Sequence, residues 1–201
     1  MSKTNTSGID RITYCLKRKP VITSLVQEND LSEILQTTSN IVCVLKSDVF
    51  ILSEYVNQIK EAGKLSFIHF DLVEGLGKDK VGVAYLAKTI GADGIITTKS
   101  SIITEAHKLG LITVQRLFIF DSVSLDNGIK LAKASKPDAI EVLPGMVCSK
   151  IMDRIRKETD IPVIAGGLML DMDDLQNAIK SGAIGISTSS KELWRWQDHN
   201  Q

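Results

Sequence analysis

A chain of 201 residues with 43% hydrophobic and 24% charged side chains and zero formal net charge has the size and balance of one soluble globular domain. Zero net charge announces no general affinity for nucleic acid or membrane, and no apolar run reaches the length of a membrane span. The three cysteines, Cys15, Cys43 and Cys148, form no metal spacing and read as inert thiols of a reducing cytoplasm. The opening MSKTNTSGIDRITYCLKRKP lacks the apolar stretch of a secretory signal, so a cytoplasmic protein is expected.

Residues 1–19 read as a polar N-terminal extension with one amphipathic patch (Ile9, Ile12, Leu16) and a basic end, Lys17-Arg18-Lys19. From Pro20 to residue 201 apolar runs recur. Strands are predicted at Val21–Leu25, Ile41–Leu45, Leu65–Asp71, Gly94–Thr98, Leu111–Arg116, Ala139–Leu143, Val163–Ala165 and Ala183–Ser187. Helices are predicted between them, at Leu31–Leu35, Val49–Glu61, Asp79–Ile90, Ser101–Leu109, Asp121–Ala134, Ser149–Thr159 and from Asp171 to Ser181, with another opening after Ser190. Asn, Asp and Ser caps and Gly stops fall at the helix boundaries. Eight strands alternating with helices imply parallel strands joined by crossover helices, and the even count favours a closed (β/α)8 TIM barrel of the α/β class over an open doubly wound sheet. No linker or low-complexity run marks a second domain.

In such a barrel the site is built from the C-terminal ends of the strands, with phosphate commonly held by the loops after strands 7 and 8. Here those loops begin with Gly166-Gly167 and with Ser187-Thr188-Ser189-Ser190. Paired glycines let main-chain N–H groups approach a ligand, and a Ser/Thr turn entering a helix adds free N–H groups and the positive end of a dipole. If Ile68 and Phe70 face the helices, His69 and Asp71 point inward. Asp71, Glu74, Lys99, Arg116 and Glu141 then surround the two turns with both signs of charge. Alternatives stay open: His69 as a satisfied core histidine, Arg116 and Glu141 as a pair with each other, Lys99 as a solvated loop residue. No metal set is expected.

Lys150, Arg154 and Lys157 form one stripe of the sixth crossover helix, and Lys130, Lys133 and Lys136 a similar one on the fifth. Such stripes are usually solvated faces. With Lys17, Arg18 and Lys19 they are still the best places for RNA phosphates to land. Trp194 and Trp196 either seal the last helix or form a patch for homo-oligomers.

His69-Phe70-Asp71-Leu72-Val73-Glu74-Gly75-Leu76 with Lys78-Asp79, the run Asp93–Ser101, Gln115-Arg116-Leu117-Phe118, Glu141-Val142-Leu143-Pro144-Gly145-Met146, Ala165-Gly166-Gly167-Leu168, and Ser187-Thr188-Ser189 with Leu193-Trp194 occur in the order found in one family. Together they resemble the glycerol-3-phosphate-responsive antiterminators. Residues 1–60 carry little of the resemblance: Pro20–Leu25 lacks the basic residue common on that family's first strand.

The resemblance implies a (β/α)8 barrel that binds glycerol 3-phosphate as effector, with no cofactor and no catalytic residue. It also implies binding to leader mRNA of glycerol-utilisation genes, so that transcription passes a terminator. The phosphate would sit on Gly166, Gly167, Ser187, Thr188 and Ser189 with Lys99 or Arg116 as cation, and Asp71 and Glu141 would accept from the glycerol hydroxyls. The rival is a barrel enzyme of isomerase or aldolase type acting on a small phosphorylated substrate, with Lys99 as Schiff-base group and Asp71 and Glu141 as an acid–base pair.

Overall fold

A computed structural model describes residues 7–199, the side chain of His199 excepted. Residues 1–6 of the expected N-terminal extension lie outside the described residues. Eight parallel strands close into a barrel: β1 (Val21–Leu25), β2 (Ile41–Val44), β3 (Leu65–His69), β4 (Gly94–Thr97), β5 (Ile112–Phe118), β6 (Ala139–Leu143), β7 (Val163–Gly166) and β8 (Gly185–Thr188), with β8 pairing back onto β1. The (β/α)8 fold expected from the strand–helix alternation is therefore the fold observed. Helices α1 (Gly8–Arg18), α2 (Leu31–Gln36), α3 (Leu52–Glu61), α4 (Lys80–Tyr85), α5 (Ser100–Lys108), α6 (Ser122–Ser135), α7 (Cys148–Glu158), α8 (Met172–Ser181) and α9 (Lys191–His199) complete it.

Strand alternation divides the core in two. Outward residues such as Val42, Ile68, Ile95, Ile140, Val163 and Ile186 pack under the helices. Inward residues Ile22, Cys43, Phe67, Ile96, Val114 and Ile164 fill the barrel axis. Gly94 makes room for this filling, since a Cβ there would meet the Phe67 ring at 2.7 Å. From residue 8 the N-terminal segment belongs to the same core. Ser7 caps α1 through Asp10 N, and Ile12 and Leu16, both fully buried, plug the N-terminal mouth of the barrel. Ile9, of the same predicted patch, is exposed.

Boundaries shift where side chains intervene. Asp48 Oδ1 accepts from the N–H groups of Phe50 and Ile51, so α3 begins at Leu52 instead of Val49. The third strand stops at His69 because Phe70–Leu72 turns into a 3-10 helix. Ser47–Asp48 and Val73–Glu74 then pair as a short parallel ladder beside the barrel mouth. Leu86–Ile90 continues α4 as a π turn ending on Gly91. At the C-terminus Trp194 is buried and donates from Nε1 to Thr188 O at 3.0 Å, and Gln197 Oε1 accepts Val21 N at 2.7 Å. Trp194 thus seals the last helix over the β8–β1 seam. Among the described residues no helix is long and apolar enough to cross a membrane.

Candidate functional site

A pocket of about 340 Å³ opens at the C-terminal end of the barrel, lined by Ser24, Leu45, Arg116, Leu143, the segment from Gly167 to Leu170 and the turn from Ser187 to Ser190. Its floor and two walls are the loops after β7 and β8. Gly167 and Leu168 lie one after the other at φ 67° and 56°, which turns the chain sharply out of β7. Glycine fits the first position without strain, and Leu168 is held there although its side chain disfavours it. A Cβ on Gly166 would come within 2.5 Å of Glu141 Oε1 and 3.0 Å of Ser187 Oγ. That glycine is therefore required by the packing of the barrel mouth, not only by the turn.

Hydroxyls stitch the two loops together. Thr188 Oγ1 donates to Met169 O at 2.7 Å and accepts Ser190 N at 2.9 Å, while Ser190 Oγ donates to Leu170 O at 2.9 Å. Ser187 Oγ donates to Glu141 Oε1. Three of the four hydroxyls of the turn are thus already committed as donors, and that of Ser189, which is exposed, has no partner among the described residues. What the turn offers an anion is main-chain N–H together with the N-terminus of α9, which starts at Lys191.

Below the turns lies a buried polar cluster. Arg116 donates from Nε to Glu141 Oε2 at 2.8 Å, with 7% and 1% of the two side chains exposed. Arg116 Nη1 stands 3.3 Å from His69 Nε2. Burial pushes the His69 imidazole down to about 4, and the neighbouring guanidinium adds to the shift, so His69 is neutral at pH 7 and accepts from Arg116. Burial disfavours the Arg116 charge, but Glu141 outweighs it and holds the guanidinium protonated. Cys43, inside the same axis, is pushed up to about 12 by burial and stays a thiol.

Asp71 occupies the neighbouring strand ends. Its Oδ1 accepts Thr97 Oγ1, and its Oδ2 accepts both the N–H and the hydroxyl of Thr98, each at 2.8 Å. Burial alone would favour the acid, but these three bonds hold the carboxyl below the usual range. Lys99 is exposed at the start of α5 and lines no part of the pocket. Among the described residues no group of three or more His, Cys, Asp or Glu is arranged to hold a metal ion.

Residues 21–194 match the protein family described as glycerol-3-phosphate responsive antiterminator. The chain belongs to that family. It is 36% identical over 183 residues to the uncharacterised protein YgcP of Escherichia coli K12, covering 91% of this chain and 95% of that one. The glycerol uptake operon antiterminator regulatory protein of Listeria monocytogenes superposes with a TM-score of 0.84 at 34% identity, covering 88% of this chain and 95% of that one. An antiterminator-related protein of Thermotoga maritima gives 0.79 at 35% identity, with 88% and 98% covered. A deoxyribose phosphate aldolase of Aeropyrum pernix, 14% identical with a TM-score of 0.67 over 96% of this chain and 93% of that one, shares the fold alone.

In this member of the antiterminator family the structure brings Arg116, Gly167, Ser187, Thr188 and Ser189 to the pocket wall. It places Gly166 and Glu141 directly beneath that wall, and Asp71 and Lys99 on the adjoining loops. Both Glu141 oxygens are engaged by Arg116 and Ser187, so its contact with the pocket runs through those two side chains. Ser24, Leu45, Leu143 and Met169 are pocket residues that sequence reasoning missed. Ser24 was legible, as the last inward polar residue of β1; the apolar walls carry no signal distinct from core residues. Of the basic positions, Lys17, Arg18 and Lys19 lie at the end of the barrel opposite the pocket, around the C-terminus of α1. Lys150 and Lys157 are exposed on α7, and Arg154 is paired with Asp126.

Proposed function

We propose that this chain is a glycerol 3-phosphate-switched antiterminator that binds the leader mRNA of glycerol-utilisation genes in the cytoplasm. The observation that carries this reading is the pocket walled by the loops after β7 and β8, with Arg116 in its lining. A phosphate dianion would accept from the amides of Gly167, Leu168 and Ser189 and from the Arg116 guanidinium. The glycerol end would lie toward Ser24 and Leu45. Because the loop hydroxyls already bridge Met169 and Leu170 to Thr188 and Ser190, ligand bound across both loops favours one arrangement of the mouth over others. That difference in affinity is the most a ligand can contribute to a switch.

The enzyme reading lacks an amine where it needs one. A Schiff-base lysine must reach the substrate carbonyl, and Lys99 stands outside the pocket lining. Gel shifts of the leader transcript with and without glycerol 3-phosphate test the proposal. Binding that strengthens with the effector supports it; equal binding in both conditions, or turnover of glycerol 3-phosphate or a triose phosphate, overturns it.

A further inference from the structure

Phe118 and Phe120 stand at the end of β5 with ring centroids 6.3 Å apart and ring planes within 6° of parallel. Phe120 is 82% exposed and Phe118 46%. Large aromatic rings left open side by side mark a surface that something covers. Exposed cations follow the strands on either side of β5. Lys99 extends β4, whose Thr97 is in register with Gln115 of β5, and Lys150 lies in the first turn of α7. Both lysines are exposed and neither forms an ion pair among the described residues. The nearest carboxylate along the chain, Asp121, is occupied in capping α6 through Ser124 N at 2.8 Å. By contrast, the basic face between α6 and α7 is neutralised, Arg154 by Asp126 and Lys133 by Glu158.

The aromatic pair is also mechanically joined to the effector pocket. Phe118 pairs with Leu143 in the sheet, and Ile119 N donates to Leu143 O at 2.8 Å. Leu143 lines the pocket and packs 3.3 Å from where a Cβ on Gly167 would lie. Gly145 N donates to Gly167 O at 3.0 Å, tying the loop after β6 to the phosphate turn.

We propose that Phe118 and Phe120 form a stacking platform for unpaired bases of single-stranded RNA, with Lys99 and Lys150 on the flanking phosphates, at the rim of the effector pocket. Exposed aromatic rings between free cations are what single-stranded nucleic acid requires: each ring offers a face to any base, and the cations follow the backbone. The inference rests on the reading that the chain binds RNA and says where. It places the RNA next to the ligand that controls it, whereas Lys17–Lys19 lie at the far end of the barrel.

The test uses the full chain with saturating glycerol 3-phosphate and a pool of random-sequence single-stranded RNA enriched by retention on that chain. The substitutions Phe118→Ala and Phe120→Ala remove exposed rings, and calorimetry with glycerol 3-phosphate checks that each variant keeps its effector affinity. Each is expected to weaken binding of the enriched pool about tenfold, and 5-iodouridine in that RNA is expected to crosslink to the peptide holding Phe118 and Phe120. Unchanged pool affinity, with crosslinks confined to α1 or to the end of α7 around Arg154 and Lys157, removes the platform and leaves the antiterminator reading standing. If the unsubstituted chain retains no RNA from the pool, both fall. If sedimentation shows that the double variant converts a dimer to a monomer while RNA affinity is unchanged, a second copy covers the rings and the proposal is overturned.

Discussion

Glu141 holds Ser187 and Arg116 at once, one carboxylate oxygen on the serine hydroxyl and the other 2.8 Å from the guanidinium Nε. This buried bridge spans β5, β6 and β8 directly under the turn after β8. Its substitution is expected to separate stability from binding. Glu141→Gln leaves Arg116 charged and unpaired in the barrel, and urea unfolding should show a loss of about 3 kcal/mol. The double variant Glu141→Leu/Arg116→Met removes both charges and should recover most of that loss while binding glycerol 3-phosphate poorly. Equal stability of Glu141→Gln and the unsubstituted chain would mean the pair does not form.

The two adjacent glycines are expected to respond differently. Gly166→Ala drives a methyl into Glu141 Oε1 and Ser187 Oγ, so the mouth of the barrel must shift and effector affinity should fall at least about tenfold. Gly167→Ala meets only the Leu143 side chain at 3.3 Å but must hold φ near 67°, a backbone cost of about 1 kcal/mol. Calorimetric titration of both variants, alongside thermal unfolding, distinguishes a displaced site from a strained turn.

Thr188→Val keeps the shape of a buried side chain and deletes its hydroxyl. Met169 O loses its donor and Ser190 N its acceptor, at a cost of about 1–3 kcal/mol. The loops after β7 and β8 should part locally. Faster amide hydrogen exchange at Ser190, together with weaker effector binding, is the expected pair of results; exchange unchanged at Ser190 would show the stitch to be dispensable.

Acid should destabilise the chain partly through His69. Its folded value of about 4 lies below the ordinary 6.5, so between those values the unfolded chain takes up a proton that the folded one refuses. Stability therefore falls as pH drops from about 6.5 toward 4, by at most about 3 kcal/mol from this residue. Asp71, held below its ordinary value, adds a further loss as pH falls through the acidic carboxylate range. His69→Gln should flatten the unfolding free energy between pH 6.5 and 4 relative to the unsubstituted chain. An unchanged slope would place the titration elsewhere.

The barrel was legible because apolar runs and Asp or Ser caps recur with the period of a strand–helix unit, and because inward and outward residues alternate: His69 sits inward and Ile68 outward, as the pattern of β3 implies. The turns that wall the pocket were legible because Gly166-Gly167 and Ser187–Ser190 follow the last two strand-like runs, at the end of the barrel where such sites are built. The state of the carboxylates was not. Whether Asp71 and Glu141 face a ligand or their neighbours depends on side chains 26 and 46 residues away along the chain, Thr97 and Ser187, and no local spacing encodes that. Nor does sequence tell an exposed Phe118 from a buried one on a strand whose other residues are all buried.

The central claim is that a phosphate dianion rests on the amides of the last two βα turns. Following backbone amide resonances of the 15N-labelled chain during titration with glycerol 3-phosphate tests it most directly. Saturable shifts at Gly167, Leu168 and Ser189, absent with glycerol alone, are the expected result. Resonances of those three residues that stay in place while the ligand binds, or shifts confined to another face of the barrel, would contradict it.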